Sequence, residues 1–208
     1  MIVVGLTGSI GMGKSTAARY LRRLGVPVYE ADAEVHKLYA KGGAAVAPIA
    51  KAFPAAVRAG AVDRARLSAI LREAPEKVTT LEAIVHPLAR QVQRRFLATA
   101  AMRRRPVAVL DIPLLFETRG ERRCDAVALL LAPRMIQEAR VLARPGMTRE
   151  KLAGIRKRQM PDAEKRRRAD FVVPTGLSKR ESLKRLGAIV GKMRARAGRH
   201  WRPGAAGT

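Results

Sequence analysis

Nine residues near the amino terminus, Gly8-Ser9-Ile10-Gly11-Met12-Gly13-Lys14-Ser15-Thr16, constrain this chain more than any other stretch. They satisfy the spacing Gly-x-x-x-x-Gly-Lys-Ser/Thr, and they lie between residues 1–7, an apolar run that reads as a buried strand, and residues 17–24, which read as a helix. A strand, a glycine-rich turn and a helix in that order form a phosphate cradle. The glycines let backbone N–H groups close around phosphate oxygens, and the helix amino terminus adds a favourable dipole. Gly11, Met12, Gly13, Lys14, Ser15 and Thr16 are therefore expected to bind a nucleoside triphosphate, with Lys14 reaching its terminal phosphates and Ser15 ligating magnesium.

The rest of the chain repeats the alternation of strand and helix. Residues 26–29, 106–111, 125–131 and 171–173 are further strand candidates, separated by helical patterns at 33–40, across 64–101, at 133–142, from Thr148 onward and at 178–196. Such alternation predicts a parallel sheet in a three-layer α/β arrangement. Residues 41–54, rich in Gly, Ala and Pro, read as a loop, and Pro75 and Pro87 are expected to break the helical stretch that follows. That stretch reads as a helical insertion between the second and third strands. The last residues, 198–208, are expected to fray.

Charge bounds the partners. Of the 42 Lys and Arg against 17 Asp and Glu, 21 basic and only 6 acidic residues fall in 133–208, within a formal total of +25. Two classes fit such a surplus: a protein that binds nucleic acid through phosphate contacts, and an enzyme for small polyphosphate substrates. Aromatic residues make up 4% of the chain, which disfavours single-strand binding by base stacking. Cys124 is the only cysteine, so no internal disulfide forms, and no apolar run reaches membrane-spanning length. A reducing, cytoplasmic setting is the expectation.

Three groups of residues carry the expected chemistry. Asp111 ends an apolar strand beside the phosphate loop and has the form of the acid that helps hold magnesium. Asp32 follows the second strand, where the carboxyl ends of parallel strands present ligands, and can orient or deprotonate an attacking hydroxyl. His36 lies one helical turn beyond it and reads first as a packing or hydrogen-bonding residue. Arg140 and Arg144, four apart on one predicted helix, could face the transferring phosphate, while the run Lys165-Arg166-Arg167-Arg168 reads as solvated surface.

Taken together, these segments resemble the dephospho-coenzyme A kinase family. The likeness is carried by 5–16, by Leu24-Gly25-Val26-Pro27-Val28 and Ala31-Asp32, and by Leu81-Glu82-Ala83-Ile84-Val85-His86-Pro87 with Arg90. Asp111-Ile112-Pro113-Leu114-Leu115-Phe116-Glu117 adds to it, as do Arg140, Arg144, Arg156, Gln159-Met160, Lys165 and 169–173. The resemblance implies transfer of the γ-phosphate of ATP to the ribose 3′-hydroxyl of dephospho-coenzyme A, the final step of coenzyme A biosynthesis. It further implies a P-loop kinase fold with a five-stranded parallel sheet, formed as a nucleotide-binding core of residues 1–31, 102–134 and 166–197. A helical acceptor-binding insertion over 32–101 and a helical lid over 135–165 complete it. In that family's terms Asp32, Lys14 and Arg140 are catalytic, His86, Arg90 and Phe116 lie with Asp32 near the acceptor, and Ser15 and Asp111 hold Mg2+. The expected partners are ATP and dephospho-coenzyme A, with no obligate nucleic acid, no membrane and a monomeric chain capable of weak self-association.

The chain departs from the family pattern at Glu30, where Asp is usual, and at Pro174-Thr175-Gly176, where an Asn near a Gly is common. A nucleoside monophosphate kinase would share the loop, acid and lid, so only the acceptor-side segments separate the two. A GTPase fits less well, since Asp111 is followed by Ile-Pro-Leu and no Asn/Thr-Lys-x-Asp segment is present.

Overall fold

Burial explains the sheet. All six residues of β1 (Ile2–Thr7) and all five of β5 (Val107–Asp111) are buried, so both faces of these strands are covered, the condition for a parallel sheet in a three-layer α/β arrangement. In a computed structural model, which describes residues 1–196, 198, 199 and 201, five strands form this sheet. With β2 (Val28–Glu30), β6 (Ala126–Leu131) and β7 (Phe171–Pro174) the strand order is β2-β5-β1-β6-β7. β1 pairs in parallel with β5, Ile2 opposite Val107, and with β6, Val4 opposite Ala126, while β6 pairs in parallel with β7.

The chain divides into two compact units, one formed by Met1–Tyr29 and Ala98–Thr208, the other by Glu30–Leu97. In the first, alternation along β1 sends Ile2, Val4 and Leu6 into a core shared with Ala17 and Leu21 of α1 (Lys14–Arg23). Leu186, Ile189, Val190 and Met193 of α9 (Lys179–Arg194) complete that core. Two carboxylates pin the amino-terminal edge of the sheet: Asp125 accepts the N–H of Val3 at 2.7 Å, and Asp170 accepts that of Val127 at 2.8 Å. Each acid stands immediately before a strand and satisfies a main-chain donor of the neighbouring strand.

The second unit holds α2 (Ala31–Tyr39), α3 (Val46–Ala52), a two-stranded antiparallel ribbon of β3 (Val57–Arg58) and β4 (Ala61–Val62), and α4 (Arg64–Glu73). The unit boundary then falls within α5 (Val78–Met102). Its core gathers Leu38, Ile49, Phe53, Val62, Leu67 and Val85. Two expectations change here. Residues 41–54 contain a helix, because Pro48 sits in the first turn of α3, where its missing N–H costs nothing, and Ala45 and Ile49 are fully buried. Pro87 lies inside α5 without ending it, since one lost hydrogen bond is small against a helix of 25 residues.

α6 (Arg134–Leu142), α7 (Arg149–Lys157) and α8 (Asp162–Arg168) belong to the first unit. Thr148 caps α7 as expected, its hydroxyl accepting from the N–H of Lys151. α6 ends at Leu142, so Arg144 lies beyond it in an exposed turn and does not share a helical face with Arg140. Within the stretch 198–208, residues 200 and 202–208 lie outside the described residues, while the N–H of Arg199 donates to Asp125 Oδ1 at 2.5 Å. Among the described residues no helix is long and apolar enough to cross a membrane.

Candidate active site

The phosphate loop is formed by what glycine permits. Gly13 precedes the first residue of α1 with φ 85° and ψ 21°, a left-handed conformation that side-chain-bearing residues adopt at a cost. At Gly11, φ is 79° and an added Cβ would meet Val141 Cγ2 at 2.7 Å, so α6 closes on the loop only because no side chain intervenes. No side chain caps α1 and no acid stands in its first turn, so no carboxylate of the helix itself opposes an anion at its amino terminus. Lys14 Nζ donates to Gly8 O at 3.2 Å, arching back over the loop. Ser15 is exposed on the first turn. Register brings Asp111 beside the loop's root: it pairs with Leu6, Ile112 donates its N–H to Leu6 O, and Thr7 Oγ1 donates to Pro113 O at 3.1 Å. The Asp111 carboxylate is buried there at 7% residue exposure.

Side chains from later in the chain fasten onto this loop. Gln137 Nε2 donates to Ile10 O at 2.8 Å, and Arg156 in turn donates to Gln137 Oε1 and, at 2.7 Å, to Glu138 Oε1. Hydrogen bonds from Arg156 and Arg134 hold the Glu138 carboxyl below the usual carboxylate range. Arg140 reaches Thr175 O at 2.6 Å and Gly11 O at 3.5 Å, and Thr175 Oγ1 lies 3.1 Å from Met12 O. Arg140 thus rests between the loop and the segment that follows β7. Gln159 accepts from the Ile10 N–H at 3.3 Å, and Ser9 donates to Asp162 Oδ1 at 2.6 Å.

The charge run 165–168 is where sequence reading erred most. Lys165 is fully buried, pairing with Glu117 Oε1 at 2.9 Å and donating to Ser9 Oγ at 3.2 Å, whereas Arg166, Arg167 and Arg168 are exposed. Successive helical residues are turned by about 100°, so four adjacent cations cannot share one environment. Gln137 and Asp162 carry no sequence motif, and Ser9 stands at a variable position of the loop motif, where the pattern gives it no role. Glu117, Arg156 and Gln159 were marked by resemblance alone.

In the second unit, Asp32 is exposed in the first turn of α2, where the helix dipole favours a carboxylate. His36 Nε2 contacts Arg64 Nη1, so it has a partner within its own unit. Burial raises the Tyr39 hydroxyl pKa, with Arg64 opposing. His86 and Arg90 are exposed one turn apart on α5, and Arg90 Nε donates to His86 O at 3.3 Å. Phe116 behaves differently from these: at 1% exposure it is packed in the interior of the first unit. Cys124 is buried too, and burial pushes its thiol up to about 12.

An oxygen-rich donor set, the Ser15 hydroxyl and the Asp111 carboxylate, suits a hard cation such as Mg2+ that binds through one or two protein ligands and substrate phosphates. Among the described residues no group of three or more His, Cys, Asp or Glu gathers to hold a metal.

Comparison with known proteins agrees in sequence and in fold. The chain is 60% identical over 194 residues to the dephospho-CoA kinase of Paramagnetospirillum magneticum, covering 93% of this chain and 92% of that protein. It is 52% identical to the enzyme of that name from Rhizobium meliloti, covering 94% of this chain and all of the other. A crystal structure from Thermus thermophilus superposes with a TM-score of 0.82 at 36% identity, over 92% of this chain and 97% of that one. Dephospho-CoA kinase from Campylobacter jejuni shares the fold at a TM-score of 0.71 and 21% identity, covering 92% and 96%. The dephospho-CoA kinase family model matches residues 2–179, from the first strand through the phosphate loop to the start of the last helix, and the chain belongs to that family.

Proposed function

We propose that this protein transfers the γ-phosphate of ATP to the ribose 3′-hydroxyl of dephospho-coenzyme A, giving coenzyme A and ADP. The reading is carried by the family match over residues 2–179, which includes a formed phosphate loop. The loop's N–H groups and Lys14 bind the donor's phosphates and balance the charge that develops as the β–γ bridging oxygen leaves on ADP. Asp32 accepts a hydrogen bond from the 3′-hydroxyl, orients its oxygen toward the γ-phosphorus and takes the proton released as the new O–P bond forms. Arg140 leaves Thr175 and Gly11 to stabilise the transferring group, while residues 135–165 act as a lid that excludes water. Residues 32–101 serve as the acceptor-binding insertion, with His86, Arg90 and Phe116 near the acceptor. Ser15 and Asp111 would hold Mg2+, which would supply charge neutralisation at the phosphates. On this reading the chain works in the cytoplasm as a monomer capable of weak self-association, with no obligate nucleic acid and no membrane as partner.

An acceptor panel tests this. ADP release by the purified protein should require both dephospho-coenzyme A and Mg2+. Comparable turnover with AMP or shikimate in place of dephospho-coenzyme A would overturn the substrate assignment.

A further inference from the structure

The phosphate loop is not held only by its own turns. Its first half is gripped from residues 159–165: Gln159 takes the Ile10 N–H, Asp162 takes the Ser9 hydroxyl, and Lys165 donates to the same Ser9 oxygen. Lys165 cannot move without consequence, because its ammonium is fully buried against Glu117 Oε1, and that oxygen also accepts the Met160 N–H at 2.8 Å. Ser9, itself 4% exposed, therefore sits between a buried cation and a carboxylate, its hydroxyl hydrogen directed to Asp162 and its lone pair to Lys165. The loop's next residues are held differently, by Arg140 at Gly11 O and Thr175 at Met12 O, with no buried charge pair at the contact. Buried charges of this kind persist when each is paired and hydrogen-bonded, and as a network they fix geometry more strictly than apolar packing does.

From this geometry we infer that Lys165, with Glu117 and Asp162, is a positioning cluster that sets the phosphate loop in its nucleotide-binding form through Ser9. The inference rests on the loop's binding a nucleotide, as the proposed reaction requires, but not on the identity of the acceptor. None of the three side chains need touch the substrate. They hold Ser9 by its hydroxyl, while Gln159 holds the adjoining Ile10 N–H, so that the loop is set before a ligand arrives, which lowers the ordering cost of binding. The Ser9 hydroxyl is the only part of the loop's side chains in the cluster, so it can be removed while the Lys165–Glu117 pair stays intact.

The test is calorimetric titration of ADP into the wild type, Ser9→Ala, the paired variant Lys165→Met with Glu117→Gln, and Arg168→Ala as an exposed control on the same helix. Thermal unfolding is measured on each. The paired variant avoids stranding a buried charge and so remains folded where Lys165→Met alone would not. Ser9→Ala should weaken ADP binding about five- to tenfold, since it removes both the bond to Asp162 and the bond from Lys165. The paired variant should weaken it at least as much, Arg168→Ala less than twofold, and Ser9→Ala should still unfold in one transition, at a temperature lowered modestly because two buried partners each lose a hydrogen bond. In steady state the loss should fall on KM for ATP and leave KM for dephospho-coenzyme A unchanged. ADP affinity within twofold of wild type in Ser9→Ala would overturn the inference, as would a loss spread equally over both substrates' KM values. Failure of the kinase reading looks different: the wild type would bind ADP yet leave dephospho-coenzyme A untouched.

Discussion

The two units hold their candidate residues in opposite ways. In the first, the loop residues Ser9, Ile10 and Gly11 are tied by side chains more than 100 positions away, from Gln137, Arg140, Gln159, Asp162 and Lys165. In the second, Asp32, His86 and Arg90 are exposed, and the side-chain hydrogen bond recorded among them spans one helical turn, from Arg90 to His86 O. A site for phosphate needs main-chain donors aimed in advance, which only long-range fastening provides. A site for a large organic acceptor can leave its polar side chains in water until the ligand desolvates them. On the proposed reading, the donor side would be built by the fold and the acceptor side by exposed residues on helices.

Four measurements bear on that contrast. The largest effect belongs to Asp32→Asn, which should lower kcat by about 10²–10⁴-fold, the usual worth of a positioned base, while ADP affinity and unfolding temperature stay put. A kcat within tenfold of wild type would remove the second unit from the chemistry. Next comes Phe116→Ala, expected to cost about 3–5 kcal/mol in denaturant unfolding because it empties a fully buried site. Were stability unchanged and KM for dephospho-coenzyme A raised instead, Phe116 would belong with the acceptor residues and not the core. Arg90→Ala should raise that KM about tenfold, equivalent to about 1.4 kcal/mol, with stability shifted by less than about 0.5 kcal/mol. An Arg90 variant that unfolds early would instead assign this arginine to structure.

The smallest effect concerns Cys124. Its thiol is held protonated up to about 12 against an ordinary 9.0, so the folded state keeps a proton that the unfolded chain loses. Stability from this source is whole below pH 9 and falls as pH rises from about 9 toward 12. Denaturant midpoints of wild type and Cys124→Ala should therefore converge over that window, and a thiol reagent at pH 8 should modify only unfolded protein. Rapid labelling of the folded chain at pH 8 would contradict the buried, neutral thiol.

Much of the first unit could be read from the chain itself. Continuous apolar runs marked β1, β5 and β6 because strands covered on both faces carry no alternation to confuse, and the loop's glycines announced a backbone that only glycine adopts. Local rules failed where burial outweighed composition. Gly and Pro around α3 read as loop although Ala45 and Ile49 bury a helical face, and Pro87 read as a break although α5 carries it. Lys165 failed for a different reason: its partners Glu117 and Ser9 lie 48 and 156 residues away, and nothing adjacent to it in sequence distinguishes it from the three arginines that follow.

The acids before β6 and β7 carry a consequence for the sheet as a whole. Asp125 and Asp170 fill main-chain donors at the amino-terminal edge, on Val3 and Val127. The opposite edge, where β1 runs into the phosphate loop, has no acid in the first turn of α1 to do the same. One edge has its strand donors filled by the protein's own carboxylates, whereas at the other the first turn of α1 carries no acid. A carboxylate engineered into the first turn of α1 would therefore act as a built-in competitor for phosphate, stabilising the empty protein by the same means that lets the wild type discriminate in favour of its nucleotide.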